Sequence, residues 1–100
     1  MYKIRTTEEK FDNAQRIATE LVTAKLACSV HIAEVSSVYG WEAEINTGKE
    51  YELSILTRKC DEVVESIKKL REHKSPEILI EDVTATPETV DWCVAWCDGK

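Results

Sequence analysis

Polar and apolar positions change period several times along the chain. Tyr2 and Ile4 alternate with Lys3 and Arg5, which predicts a short strand over Tyr2 to Thr6 with one face covered. Thr6 and Glu9 stand at the spacing of a capping box. Phe11, Ala14, Ile17, Ala18, Leu21 and Ala24 then recur at helical spacing, predicting a helix through Leu26. From Cys28 to Val35 the period returns to two, with Val30 and Ile32 on one face and Ser29, His31 and Ala33 on the other. The alternation resumes from Val38 through Tyr39, Trp41, Ala43 and Ile45. One long strand from Cys28 to Ile45 is therefore expected, bulged or bent at Ser36-Ser37 or Gly40. Asn46-Thr47-Gly48-Lys49 reads as a turn, and Tyr51, Leu53, Ile55 and Thr57 alternate after it, so the two strands make a hairpin.

Val63, Val64, Ile67 and Leu70 form the stripe of a second helix, from about Asp61 to Glu72, which His73-Lys74-Ser75-Pro76 breaks. Ile78, Leu79 and Ile80 make a short strand. Thr86 as a cap, followed by Pro87, opens a third helix carrying Val90, Cys93, Val94, Trp96 and Cys97. The expected fold is α+β, a ferredoxin-like βαββαβ unit with a four-stranded antiparallel sheet plus a C-terminal helix, in one domain over residues 1–100. The hairpin's first strand is longer than such a sheet requires, and it carries large apolar groups at its far end. A protruding strand of that kind calls for another chain's surface.

Composition narrows the possibilities. A chain of 100 residues, 43% hydrophobic and 32% charged, suits one globular domain whose small core gains from association. The net charge of −6, with scattered basic residues, disfavours nucleic acid as a partner, because backbone phosphates need concentrated positive charge. No segment has the length and apolarity of a leader or a membrane span. The four cysteines do not form a secreted disulfide framework, so a cytoplasmic protein with free thiols and no membrane partner is expected.

Ile17-Ala18-Thr19-Glu20-Leu21-Val22-Thr23-Ala24-Lys25-Leu26-Ala27-Cys28-Ser29-Val30-His31-Ile32 resembles the first helix and second strand of CutA proteins, which read I-A-x-x-L-V-x-x-x-L-A-A-C-V-N-I. Val38-Tyr39-Gly40-Trp41-Glu42 is similar to the family's Y-x-W-E, Leu56-Thr57-Arg58 to its K-T-R, Ser75-Pro76-Glu77-Ile78 to its V-P-E-I, and Val90-Asp91-Trp92 to its L-D-W. Order and spacing agree over nearly the whole chain. Ser29 stands where the family has its strand cysteine, Leu56 replaces its lysine, and Arg71-Glu72-His73-Lys74 replaces its H-P-Y-E. The resemblance implies a ferredoxin-like subunit of a tight homotrimer. It also implies a non-enzymatic role in tolerance of divalent cations, with copper or another divalent cation as ligand.

Tyr39, Trp41 and Glu42 are the leading site candidates, since an aromatic pair beside a carboxylate can line a pocket at a subunit junction. The alternative is that the aromatics anchor an interface and Glu42 is simply exposed. The motif residues Thr57, Glu77 and Trp92 join them as pocket or trimer-interface candidates. Cys93 and Cys97, one helical turn apart, can present two thiolates to a soft metal or pack in the core. His31 and His73 are the only histidines, and neither belongs to a zinc motif; His31 can face a subunit boundary, and His73 is expected to be solvated. No phosphate loop or nucleophile motif supports an enzyme. Two readings stay open: a metal-tolerance trimer, and a structural or signalling trimer that binds a small molecule or protein at its clefts.

Overall fold

The computed structural model describes residues 1–99. Its elements are β1 (Tyr2–Glu8), α1 (Phe11–Thr23), β2 (Ser29–Trp41), β3 (Glu44–Thr57), α2 (Cys60–Leu70), β4 (Ile78–Asp82) and α3 (Pro87–Asp98). The four strands form one sheet in the order β2-β3-β1-β4, with every neighbouring pair antiparallel. This is the predicted α+β arrangement.

The core lies between the sheet and two helices. Ile4, Leu53 and Ile55 from the sheet meet Ala14, Ile17 and Leu21 of α1 and Val63 and Ile67 of α2, all fully or almost fully buried. Each large aliphatic side chain buried this way contributes roughly 1.5–3 kcal/mol. The predicted stripes of both helices face inward, except at the ends of the α1 stripe, where Phe11 and Ala24 are exposed.

The second helix runs Cys60–Leu70 rather than Asp61 to Glu72, and three further boundaries differ from the sequence reading, each for a tertiary reason. β1 does not stop at Thr6 to cap a helix: it runs to Glu8, pairing on one side down to Glu8↔Tyr51 and on the other to Thr6↔Ile78. Thr7 and Glu8 continue the ladder with β3 after β4 has ended, and the α1 cap position falls on Lys10 with no side-chain cap. The helix itself ends at Thr23 rather than Leu26. Lys25 takes a left-handed conformation at φ 63°. Leu26 N–H then bonds Leu21 O at 3.0 Å and Lys25 N–H bonds Val22 O at 3.1 Å, a Schellman closure.

The third difference is the hairpin turn. Pairing runs without a slip from Ser29↔Leu56 to Trp41↔Glu44, so Ser36-Ser37 and Gly40 hold no bulge. Asn46 to Lys49 is ordinary strand. The chain reverses at Glu42-Ala43, with φ of 51° and 66°, the doubly left-handed turn that matches strand twist. Ile45 consequently lies on β3 opposite Gly40, on the face away from Tyr39 and Trp41 rather than alongside them.

Beyond Glu34↔Tyr51 the ribbon of β2 and β3 has lost its β1 neighbour and projects as a two-stranded arm, which stretches the molecule to 47 Å against 24 and 21 Å. Val38 and Ile45 on this arm are 75% and 81% exposed. β2 is also an edge strand of 13 residues with neither proline nor lysine and a single charge, Glu34, so it lacks the usual protection of a free edge.

Candidate functional site

The extension of β1 delivers Glu8 to the end of the sheet, where α1 begins and the loop after α2 passes. Glu8 is 1% exposed. Its carboxylate accepts three N–H bonds: from Asn13 Nδ2 at 2.7 Å, the Glu72 amide at 3.0 Å and the His73 amide at 2.9 Å. Three donors on one buried carboxylate make it an anchor that holds the 72–73 backbone against the sheet. Asn13 passes the linkage on through Arg16, whose Nη2 also donates to Leu70 O at 2.8 Å.

His73 is not solvated as its polar surroundings in sequence suggest; its side chain is wholly buried. Nε2 donates to the Glu50 carboxylate at the base of the arm, and Nδ1 accepts from the Ser75 amide at 3.0 Å, an arrangement that defines the Nε2–H tautomer. Glu9 Oε1 stands 3.5 Å from Nδ1, and the Tyr39 ring meets the imidazole edge to face at 5.8 Å. A cavity of about 180 Å³ opens here between Glu8, Glu9, Lys10, Asn13, Glu72 and His73. Beside it a recess of about 300 Å³ is lined by Tyr39, Asn46, Lys49, Glu50 and Lys74 among others. Both openings carry carboxylates and ammonium groups, which suits a polar ligand carrying donors and acceptors together. Among the described residues no group of three or more His, Cys, Asp or Glu side chains is arranged to hold a metal ion.

The predicted residues are distributed over the molecule. Tyr39 belongs to the cluster, and Glu77 shares with it a recess of about 330 Å³ on the same side. Glu77 also accepts through its carbonyl from Thr6 Oγ1 at 2.9 Å. Trp41 closes β2 at the tip of the arm, half-buried, and Glu42 is an exposed turn residue. Thr57 is completely buried at the other end of the sheet, donating to Leu26 O at 2.6 Å and accepting from the Lys59 amide at 2.8 Å. Trp92, 51% exposed, lies on α3. His31 is exposed on the edge strand. Glu8 and Glu50 were not singled out from the sequence, His73 was expected to be solvated, and no spacing rule joins the three.

At the Thr57 end, Cys93 and Cys97 of α3 are buried together with Cys28, and Met1 and Leu56 pack on the three. The Cys93 and Cys97 sulfurs are 4.0 Å apart. Burial pushes each of these thiols up to about 11, opposed by Arg58 near Cys93 and by Lys59 near Cys97. Trp96 Nε1 donates to Val22 O at 3.1 Å, and Lys25 Nζ sits 3.1 Å over the Trp96 ring, which docks α3 against the end of α1.

This sheet order, with its two covering helices, defines a ferredoxin-like α+β domain, and the base of its hairpin arm holds a buried carboxylate and histidine cluster. The model of the CutA1 divalent ion tolerance protein family matches residues 2–95, and the chain belongs to that family. A curated relative, the divalent-cation tolerance protein CutA of Archaeoglobus fulgidus, is 30% identical over 92 residues, 89% of this chain and 90% of that protein. The solved structure of the periplasmic divalent cation tolerance protein CutA from the same organism superposes with a TM-score of 0.89 at 27% identity, covering 97% and 99% of the two chains. CutA1 from Pyrococcus horikoshii gives a TM-score of 0.88 at 25% identity, over 94% and 95%.

Proposed function

We propose that the chain is the subunit of a non-enzymatic homotrimer that serves tolerance of, or response to, divalent cations, copper in particular, in the cytoplasm. Family membership supports the cation role. The observation that carries the assembly is the arm, whose apolar Val38 and Ile45 stand in solvent beside the unprotected β2 edge. The fit to the cytoplasm rests on four cysteines that are all free thiols, although the Archaeoglobus relative is named as periplasmic. Cell fractionation checks it, and a periplasmic pool would overturn it.

Light scattering should return three times the subunit mass of 11.4 kDa; a monomer or dimer would overturn the assembly. Calorimetric titration of chelator-treated protein with Cu(II) should show saturable binding tighter than about 1 μM, roughly −8 kcal/mol. The mixed-charge recess beside Tyr39 favours a second reading, in which the trimer holds a small molecule or protein segment at its clefts and metal is incidental. A trimer without a copper isotherm selects that reading.

A further inference from the structure

The carboxylate and histidine cluster lies where Glu8 pairs with Tyr51, whereas the buried thiols gather at the opposite end of the sheet, where Tyr2 pairs with Thr57. Buried cysteine fills space as a small apolar residue does, but three sulfurs gathered together also offer soft donors. We infer that Cys93 and Cys97, with Cys28 beside them, form a binding site for a soft monovalent metal ion, Cu(I) above all.

The geometry is that of a prebuilt pair. Two metal–thiolate bonds of about 2.3 Å put their sulfurs about 4.0 Å apart at a trigonal angle and at most about 4.6 Å apart when linear. The Cys93 and Cys97 sulfurs are 4.0 Å apart as they stand, held by one turn of α3. The third sulfur is close but not yet aimed: Cys28 Sγ donates weakly to Leu56 O at 3.5 Å. The three are therefore not a finished coordination set. Met1 packs on the same cluster and adds a thioether, and soft sulfur donors of this kind select Cu(I) over harder cations.

Charge and access agree. Cu(I) replaces two thiol protons, which leave to solvent, and the metal does not change oxidation state. The product carries one net negative charge, and it faces Lys59, whose Nζ donates to Cys97 O at 3.0 Å, and Arg58, which reaches Asp98 at 3.8 Å. Cys97 and Cys28 are 5% and 7% exposed, so the ion has a short path in. Because protons are exchanged for metal, affinity should rise about 100-fold per pH unit below the thiol pKa of about 11.

The test is anaerobic titration of the reduced, chelator-treated full chain with Cu(I) against a chromogenic Cu(I) chelator. One Cu(I) per subunit retained against the chelator, with two or three protons released, is the expected result; three would mean that Cys28 joins. Cys93→Ser and Cys97→Ser should each weaken retention by more than the roughly 100-fold that losing an outer-shell group costs. Cys60→Ser, at the start of α2 away from the cluster, should retain the metal fully. Complete loss of Cu(I) to the chelator by the unaltered chain would overturn the inference, as would equal loss in the Cys60 variant. Thiolate-to-copper absorption on the unaltered chain gives a readout that needs no variant to fold, and its absence at one equivalent would also be decisive. The inference does not rest on the trimer or on divalent copper, since a chain silent toward Cu(II) that retains Cu(I) would separate the two.

Discussion

His73 hydrogen-bonds Glu50 through Nε2, and so the loop after α2 is fastened to the base of the hairpin arm from within the protein. The imidazole is wholly buried and Glu50 is 6% exposed, so removing either partner strands the other away from water.

His73→Ala should therefore destabilise the fold by about 3–5 kcal/mol, the range for breaking a buried pair from one side. Glu50→Gln should cost much less, because the amide oxygen still accepts from Nε2–H. Urea denaturation at one fixed protein concentration compares them. A loss below about 1 kcal/mol in the alanine variant would mean that the loop is held by the Glu8 carboxylate alone.

Glu42 and Ala43 are held at positive φ, which costs a residue with a Cβ about 1–2 kcal/mol. Ala43→Gly should relieve about 1 kcal/mol, and Glu42→Asn with Ala43→Gly somewhat more. A gain of about 1 kcal/mol raises the melting temperature by roughly 4–8 °C in a domain of this size. No rise by calorimetry would show that the arm, rather than its turn, sets the conformation there.

The arm's apolar residues should govern assembly rather than subunit folding. Ile45→Glu should give a particle of 11.4 kDa with unchanged far-ultraviolet dichroism, since the side chain is 81% exposed in the subunit. Trp41→Ala should weaken the proposed trimer more than it disturbs the subunit, because truncating a tryptophan buried by a neighbour costs about 3–5 kcal/mol. Sedimentation decides: an intact Trp41→Ala trimer with a lowered melting temperature would place Trp41 in the subunit's own core.

The α3 thiols make stability fall in alkali. Burial raises Cys93 and Cys97 from the ordinary 9.0 to about 11, so between those values the folded chain holds protons that the unfolded chain has released. Their stabilisation is complete below about pH 9 and is lost as pH climbs through about 11. Denaturation midpoints from pH 8 to 11 should fall along that span, and Cys93→Ala with Cys97→Ala should flatten the fall. An equally steep fall in the double variant would assign it to other groups.

Element order and the inner stripes of α1 and α2 were legible because burial writes a period into the sequence. The hairpin turn was not, since Glu42-Ala43 carries no glycine or asparagine while Asn46-Thr47-Gly48 does, and uninterrupted pairing overrode that local signal. Nor was His73, whose neighbours Lys74, Ser75 and Pro76 read as solvated loop. Its burial depends on Glu8 and Glu50, and only the folded topology brings those positions together. Tyr39 was singled out for its place beside Trp41 and Glu42, whereas its contact in the subunit is His73, which the sequence did not indicate. The pairing of Cys93 with Cys97 followed from one helical turn, whereas Cys28 joins them through the β2 approach alone.

The β2 edge gives abundance a structural meaning. A strand of 13 residues with one charge and no proline is safe only while something lies along it. On the proposed assembly, subunit concentration sets how long each copy stays uncovered after synthesis, and over that interval the same edge is open to strand addition by any other chain.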